Sequence, residues 1–296
     1  MSTLTIARKD IEDVVQSRLI WGVFVLFVIL MGIIGLASTG DADSEVTTEG
    51  FIGLFTNLGA WLMVPLIGIM IGYMAIVGER QSGSLRILFG LGFNRREVLL
   101  GKFLSRTGTI IVVTIASLLV MVGLAAVIAD SWDTFLFVRF AGLAILLAVM
   151  FTAIAVAVSA SVSTRYRAMG GTVGAYIVFA MLWHPIAAGI HWVIEGDLPG
   201  FNAPEWYFLL IRLNPLEAFN QVTSVWIDQY VWGIIGWVTV VEDVDMTNPD
   251  ELILTNRVEG DLPFYLSDWF AVIILGLWIV IPLGVAYWRF KRADLN

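Results

Sequence analysis

The stretch GERQSGSLRILFGLGFNRREVLLGK, residues 78–102, is the most polar part of the first half of a very apolar chain. This polar segment ends in Gly101-Lys102, a pair that also occurs in phosphate-binding loops. Such a loop needs a glycine five residues before Gly101 and a hydroxyl residue after the lysine, because backbone N–H groups cradle the phosphates and the hydroxyl holds magnesium. Arg96 and Phe103 occupy those positions. The polar segment is therefore not a nucleotide site of this kind.

The only histidines are His184 and His191, and there is no cysteine. Seven residues of helix separate their positions by ~10 Å along the axis, so the two side chains cannot ligate one ion together. We predict no metal site and no catalytic residue, because the apolar stretches lack the paired acids or the His-Glu-x-x-His pattern of an intramembrane enzyme. His184 precedes Pro185 in a helix that we expect to be kinked. It is the one candidate for contact with a substrate or proton.

The composition is that of an integral membrane protein: 58% of the 296 residues are hydrophobic and 14% are charged. A transmembrane helix needs about 20 mostly apolar residues. Six stretches meet this requirement: 19–38, 58–78, 105–129, 137–162, 169–194 and 269–289. We predict an all-α polytopic protein with a single transmembrane domain over 1–296. The net charge of −8 and the few lysines favour a high-salt organism of the haloarchaeal type.

The cations give the direction of the spans, because loops on the cytoplasmic side carry an excess of lysine and arginine. With six spans, fourteen of the 17 cations fall on the side that holds both termini and the polar segment. Both termini are therefore predicted to be cytoplasmic. The long segment 195–268 then lies outside. Within it we expect 226–241 to be an interfacial or re-entrant helix, and 213–221 to be a short helix on the outer surface.

The polar segment itself must lie in water, because a cation at the centre of a membrane helix costs ~2.5–3.5 kcal/mol. Leu85, Leu88 and Phe89 have the i, i+3, i+4 spacing of a short amphipathic helix. Gly83 and Gly92 bound that helix. Asn94, followed three residues later by Glu97, is typical of a capping box that starts the next helix at Arg95.

These residues carry a resemblance to a known family. The motifs are Glu79-Arg80, Ser82-Gly83-Ser84-Leu85 and Arg95-Arg96-Glu97-Val98-Leu99-Leu100-Gly101-Lys102. They resemble the ABC-2 type transporter permeases, and the N-terminal IARKDIEDVVQSRLIWGVF and the later LNPLEAF are similar to permeases near the NosY-like branch. Gly92 departs from the family pattern, which often has proline there.

The resemblance implies a mechanism and partners. Two such permease subunits, identical or not, pair with two separate ATPase subunits that carry ATP-Mg, so this chain needs no cofactor of its own. The short helix of the polar segment is then the coupling helix that docks in a groove of the ATPase. The implied coupling residues are Glu79, Arg80, Gly83, Leu85, Leu88, Phe89, Arg95 and Arg96, and the implied contact with the pathway is His184. The other expected partner is the lipid bilayer of the cell membrane, with no nucleic acid.

Two alternatives stay open from the sequence alone. One is a non-transporting membrane scaffold or sensor with the same topology; the other is a NosY-like permease that serves copper-enzyme maturation. The substrate is not encoded in any motif, and export is the expected direction. Pairs of small residues four apart, Gly68/Gly72, Gly170/Gly174 and Ala153/Ala157, predict close helix packing within the subunit.

Overall fold

The computed structural model describes residues 46–201, 203–228 and 261–292, with Val258 and a few isolated residues between 22 and 32. All regular structure in this part of the chain is helical. In order, the elements are α1 (Thr48–Leu54), π1 (Phe55–Met63), α2 (Val64–Gly72), α3 (Val77–Ser82), α4 (Ser84–Gly90), α5 (Arg95–Ile128), α6 (Thr134–Ser161), α7 (Arg165–Ile177), π2 (Val178–Leu182), α8 (Trp183–Glu195), α9 (Glu205–Arg212), α10 (Pro215–Ile227), a 3-10 turn (Phe264–Leu266) and α11 (Asp268–Arg292).

Five helical stretches are long and apolar enough to cross a membrane: Thr48–Ser82, Arg95–Ile128, Thr134–Ser161, Arg165–Glu195 and Asp268–Arg292. They match the predicted spans two to six, of which the third and fourth were predicted to end one residue later. The predicted span 19–38 lies outside the described residues. The second span begins ten residues earlier than predicted, because the Thr47 hydroxyl accepts a hydrogen bond from the Gly50 N–H and caps the helix. Phe51 and Ile52 of this extra part pack into the main core.

Helix α6 lies at the centre of the bundle and packs against α2, α5, α10 and α11. Gly68 and Gly72 allow the second span to approach it closely: a Cβ atom on Gly72 would lie 2.5 Å from the Cβ atom of Ala155. This confirms the predicted packing role of the Gly68/Gly72 pair. For Gly170 and Gly174 the packing role stays a prediction: among the described residues, which leave out most of 19–38, a Cβ atom on either would meet nothing within 4 Å.

Helix α10 corrects the prediction that 213–221 lies on the outer surface. Leu216, Phe219 and Val222 are completely buried in the core that α6 and π1 also line. The helix turns inward because the side chain of Asn214 caps it and also donates to the carbonyl of Phe179 (2.7 Å). The predicted helix 226–241 is wrong at its start, since α10 ends at Ile227. The part of it beyond residue 228 lies outside the described residues.

Candidate functional site

The polar segment folds as two sharp turns around α4. Gly83 (φ +79°) ends α3 and begins α4, and Gly92 (φ +85°) follows α4. Both glycines are in the left-handed region, which side chains with a Cβ atom rarely adopt. The predicted capping box is confirmed: the Asn94 side chain accepts from the Glu97 N–H (2.9 Å), and the Glu97 carboxylate accepts from the Asn94 N–H (2.8 Å). The two glycine turns and the capping box fix the position of α4 between the second span and α5.

The predicted apolar face of α4 packs inside the chain. Leu85 is only 2% exposed, and Leu88 and Phe89 are partly buried against the same cluster. That cluster includes Phe290 near the end of α11, whose ring centroid lies 6.5 Å from that of Phe89. These three side chains therefore hold α4 against its own subunit.

The opposite side of α4 is open. Ile87 is 67% exposed and Leu91 is 55% exposed, although both are large apolar residues. Arg86 and Gly90 are exposed beside them. We call these four residues the outward face. The i, i+3, i+4 spacing of Leu85, Leu88 and Phe89 predicted an apolar face, but the sequence did not indicate which side of α4 would be buried. Ile87, on the exposed side, is as apolar as Leu88.

Glu79 connects the end of the second span to the start of α5. Its carboxylate forms an ion pair with the Lys102 ammonium, and Lys102 is only 4% exposed. Removing one partner of such a pair leaves an uncompensated charge, at a cost of about 3–5 kcal/mol. The neighbouring Arg80 donates from Nη1 to the carbonyl of Val162 at the end of α6 (3.3 Å). The Glu79-Arg80 pair thus connects the second span to the two helices beside it.

Arg95 and Arg96 occupy different environments despite being neighbours. The Arg95 Nη1 donates to the carbonyls of Phe290 and Lys291, 2.8 Å away in the second case. The last carbonyls of a helix lack donors within the helix, and a cation there is also favoured by the helix dipole. Arg95 therefore caps the end of α11. Arg96 is exposed.

A break in the second span lies just before Glu79. Residues 73–76 form a turn between α2 and α3, and the Ser159 hydroxyl accepts from the N–H groups of Ile76 (3.1 Å) and Val77 (3.0 Å). Buried backbone donors need such a partner. Nothing in the apolar sequence of α6 indicated that Ser159 would supply it.

The two histidines lie at separate sites, as their spacing predicted. The His184 Nε2 lies 3.6 Å from the Glu217 Oε1 on α10. Burial raises the pKa of Glu217, and the nearby His184 opposes that rise. His191 stacks on Trp206, and its Nδ1 lies 3.0 Å from the carbonyl oxygen of Asp197. Within the described residues, no three His, Cys, Asp or Glu side chains are grouped to hold a metal ion.

Glu217 was not predicted as a site residue, because its proximity to His184 depends on the inward course of α10. The same helix places Asn220 beside Trp61, whose indole N–H donates to the Asn220 Oδ1 (2.8 Å). Both contacts lie next to a π-helical stretch, π2 before His184 and π1 around Trp61. Short π-helical stretches frequently occur at functional sites.

Comparison of the sequence with known proteins assigns the chain to a family. The model of the ABC-2 family transporter proteins matches residues 4–295. The chain belongs to the ABC-2 transporter family. It is 28% identical to the probable ABC transporter permease protein NosY of Pseudomonas aeruginosa over 98% of each chain. It is 29% identical to the protein of the same name from Stutzerimonas stutzeri, over 73% of this chain and 79% of that one.

Membership confirms the resemblance that the motifs of the polar segment carry. This ABC-2 protein is a multi-pass permease of an ABC transporter, a class in which the permease is not itself the ATPase. The coupling roles of Glu79, Arg80 and the other motif residues stay predictions, as does contact between His184 and a pathway. The structure gives Glu79, Arg80, Arg95 and His184 each a definite neighbour that substitution can test.

Proposed function

We propose that this chain is the membrane-spanning subunit of an exporter in the cell membrane. ATP-Mg is hydrolysed on a separate ATPase subunit, which docks on the cytoplasmic side against the polar segment, and a second permease subunit completes the pathway. The observation that carries the proposal is the outward face of α4. It presents Ile87 and Leu91 to solvent on a short helix that is fixed to its own subunit from behind.

In this proposal Ile87 and Leu91, with Arg86, contact the ATPase, and the eight motif residues support that contact from within the subunit. Leu85, Leu88 and Phe89 hold α4 in place, and Glu79, Arg80 and Arg95 pass its displacement to the neighbouring helices. Gly83 permits the turn, and the exposed Arg96 contributes positive charge to the cytoplasmic surface. Central apolar anchors of an interface dominate its affinity.

The test is purification of tagged permease from its own cells in mild detergent. A chain with a phosphate-binding loop should co-purify and be identified by mass spectrometry, and the complex should hydrolyse ATP. Ile87→Asp should lower the amount of ATPase recovered by about fivefold or more, since loss of an interface anchor costs above ~1 kcal/mol. Tyr166→Asp is the matched control, because Tyr166 is 81% exposed on the other short connection predicted to be cytoplasmic.

Equal recovery with Ile87→Asp and with the control would overturn docking at the outward face. Purification of folded wild-type permease with no ATPase would favour the alternative of a scaffold or sensor. Among transporters, the two relatives named NosY favour a NosY-like role over other ABC-2 functions.

A further inference from the structure

Helix α11 is attached to the polar segment at one end. Arg95 donates to the carbonyls of Phe290 and Lys291, and its guanidinium carbon lies 5.8 Å from the centre of the Phe290 ring. Ala286 and Phe290 are completely buried in the cluster that contains Leu85. Any displacement of α4 therefore acts directly on the last two turns of α11.

The other end of α11 is attached to the α9–α10 pair. The Trp278 indole N–H donates to the carbonyl of Leu213, in the turn that joins α9 to α10 (2.9 Å). The Arg212 guanidinium in the same region donates to the carbonyl of Ser267, the residue before α11 (2.7 Å). Two separate bonds thus connect α11 to the α9–α10 pair, one just before its first residue and one near its middle.

Pro282 lies between the two attachments. Proline has no N–H, so the carbonyl of Trp278 four residues earlier loses its donor within the helix, and kinks occur at such positions. Trp278 is the residue that contacts Leu213. The twelve residues from Trp278 to Phe290 span ~18 Å of helix. Along this length α11 packs against α6, which has no such interruption.

We propose that the second half of α11 transmits displacement of the polar segment to the α9–α10 pair, with Arg95 as the positioning residue at the end of α11 and Trp278 as the positioning residue near its middle. The proposed function supplies the trigger, an ATPase that moves α4. The transmission itself is a property of this chain alone, so it can be tested without the ATPase. An experiment can therefore contradict docking of the ATPase without contradicting coupling along α11, and the reverse also holds.

The experiment is hydrogen–deuterium exchange of the whole purified chain in detergent, read by mass spectrometry. Arg95→Ala should raise exchange at the residues of α9 and α10 by about fivefold or more, the lower end of measured coupling between sites. Arg96→Ala is the matched control and should change nothing there. Arg95→Lys should restore part of the protection, because it keeps a cation at the helix end.

An internal control separates coupling from general loosening. Val46 and Asp130 join the start of the second span to the α5–α6 connection, away from both attachments: the Asp130 N–H donates to the Val46 carbonyl, and the Val46 N–H donates to the Asp130 carboxylate. Hydrogen–deuterium exchange at these two amides should be the same in Arg95→Ala as in the wild type. An increase at Val46 and Asp130 equal to that at α9 and α10 overturns the proposal, as does an increase confined to α4 and the end of α11.

Trp278→Phe tests the same coupling in the opposite direction. It keeps an aromatic ring and removes the bond to Leu213. Coupling is reciprocal, so exchange at α4 should rise by a similar factor. In the double variant Arg95→Ala with Trp278→Phe, exchange at α10 should be no faster than in Trp278→Phe alone. Independent, multiplicative effects would overturn the proposal. If Arg95→Ala does not fold, the single variant Trp278→Phe decides, and unchanged exchange at α4 in that variant overturns the proposal.

Discussion

Glu79 and Lys102 show how single charged residues connect helices in this permease. Each charge is compensated by the other where the second span meets α5. A buried ion pair of this kind contributes little net stability, because desolvation offsets the attraction between the charges. It does favour one relative position of the two helices. The family motif therefore places a specific contact where the polar segment meets the membrane helices.

At the scale of single residues, Glu217 predicts how the stability of the chain changes with pH. Its pKa is raised by burial, so the folded chain holds the proton more tightly than the unfolded chain does. Stability is then highest below the unfolded pKa of about 4.3 and falls as the pH rises through the folded pKa. Glu217→Gln should remove this loss. Its thermal midpoint in detergent should increase relative to wild type as the pH rises from 4 to 8.

Asp261→Asn is the control for that measurement, since Asp261 is an exposed acid. Its midpoint should stay parallel to that of the wild type at every pH. A difference between Glu217→Gln and wild type that is constant, or that shrinks as the pH rises, would contradict a buried carboxyl with a raised pKa.

At the scale of single residues, the sequence predicted contacts between residues close together in the chain and missed contacts between residues far apart in it. The capping box of Asn94 and Glu97 follows from a spacing of three residues. The bonds from Ile76 and Val77 to Ser159, and the approach of His184 to Glu217, join residues far apart in the chain. They depend on which helices become adjacent, and hydropathy carries no information about that.

At the scale of elements, the close contact between the second span and α6 depends on Gly72. A Cβ atom there would lie 2.5 Å from the Ala155 Cβ atom and 3.2 Å from the Thr152 carbonyl. Two helix backbones would have to separate, and overpacking of this kind costs about 1–3 kcal/mol. Gly72→Ala should therefore lower the free energy of unfolding, measured by thermal or denaturant unfolding in detergent.

Gly170→Ala is the matched substitution. Gly170 also lies within a helix, but a Cβ atom there meets nothing in the described chain. Alanine is favoured over glycine in a helix by up to ~1 kcal/mol, so this variant should be as stable as wild type or slightly more stable. Similar destabilisation by both variants would refute the steric argument at Gly72.

The helices themselves were predictable because long apolar runs have few alternatives in a membrane. The short amphipathic helix of the polar segment was also predictable, because two glycines and a cap bound it. Its orientation was not. Both sides of α4 carry large apolar residues, and only the position of Phe290 decides that Leu85 faces inward while Ile87 faces outward.

At the scale of the whole molecule, the number of membrane crossings before α11 determines the side on which each end of α11 lies. The sequence predicts that 226–241 is interfacial or re-entrant rather than a further span, and the part beyond residue 228 lies outside the described residues. That interpretation places Asp197, after α8, and Asp261, before α11, on the same outer side. A further crossing between them would place them on opposite sides and move the C-terminus outside, against the distribution of its cations.

The chain contains no cysteine, so single-cysteine variants can decide this directly. Asp197→Cys and Asp261→Cys, both at exposed positions, should react with a membrane-impermeant maleimide added to intact cells. Ser163→Cys, exposed between α6 and α7, should react only after the membrane is permeabilised. Labelling of Asp197→Cys without Asp261→Cys would mean a crossing between them. The attachment of Arg95 to the end of α11 would then be incompatible with a cytoplasmic polar segment, because both must lie on one side.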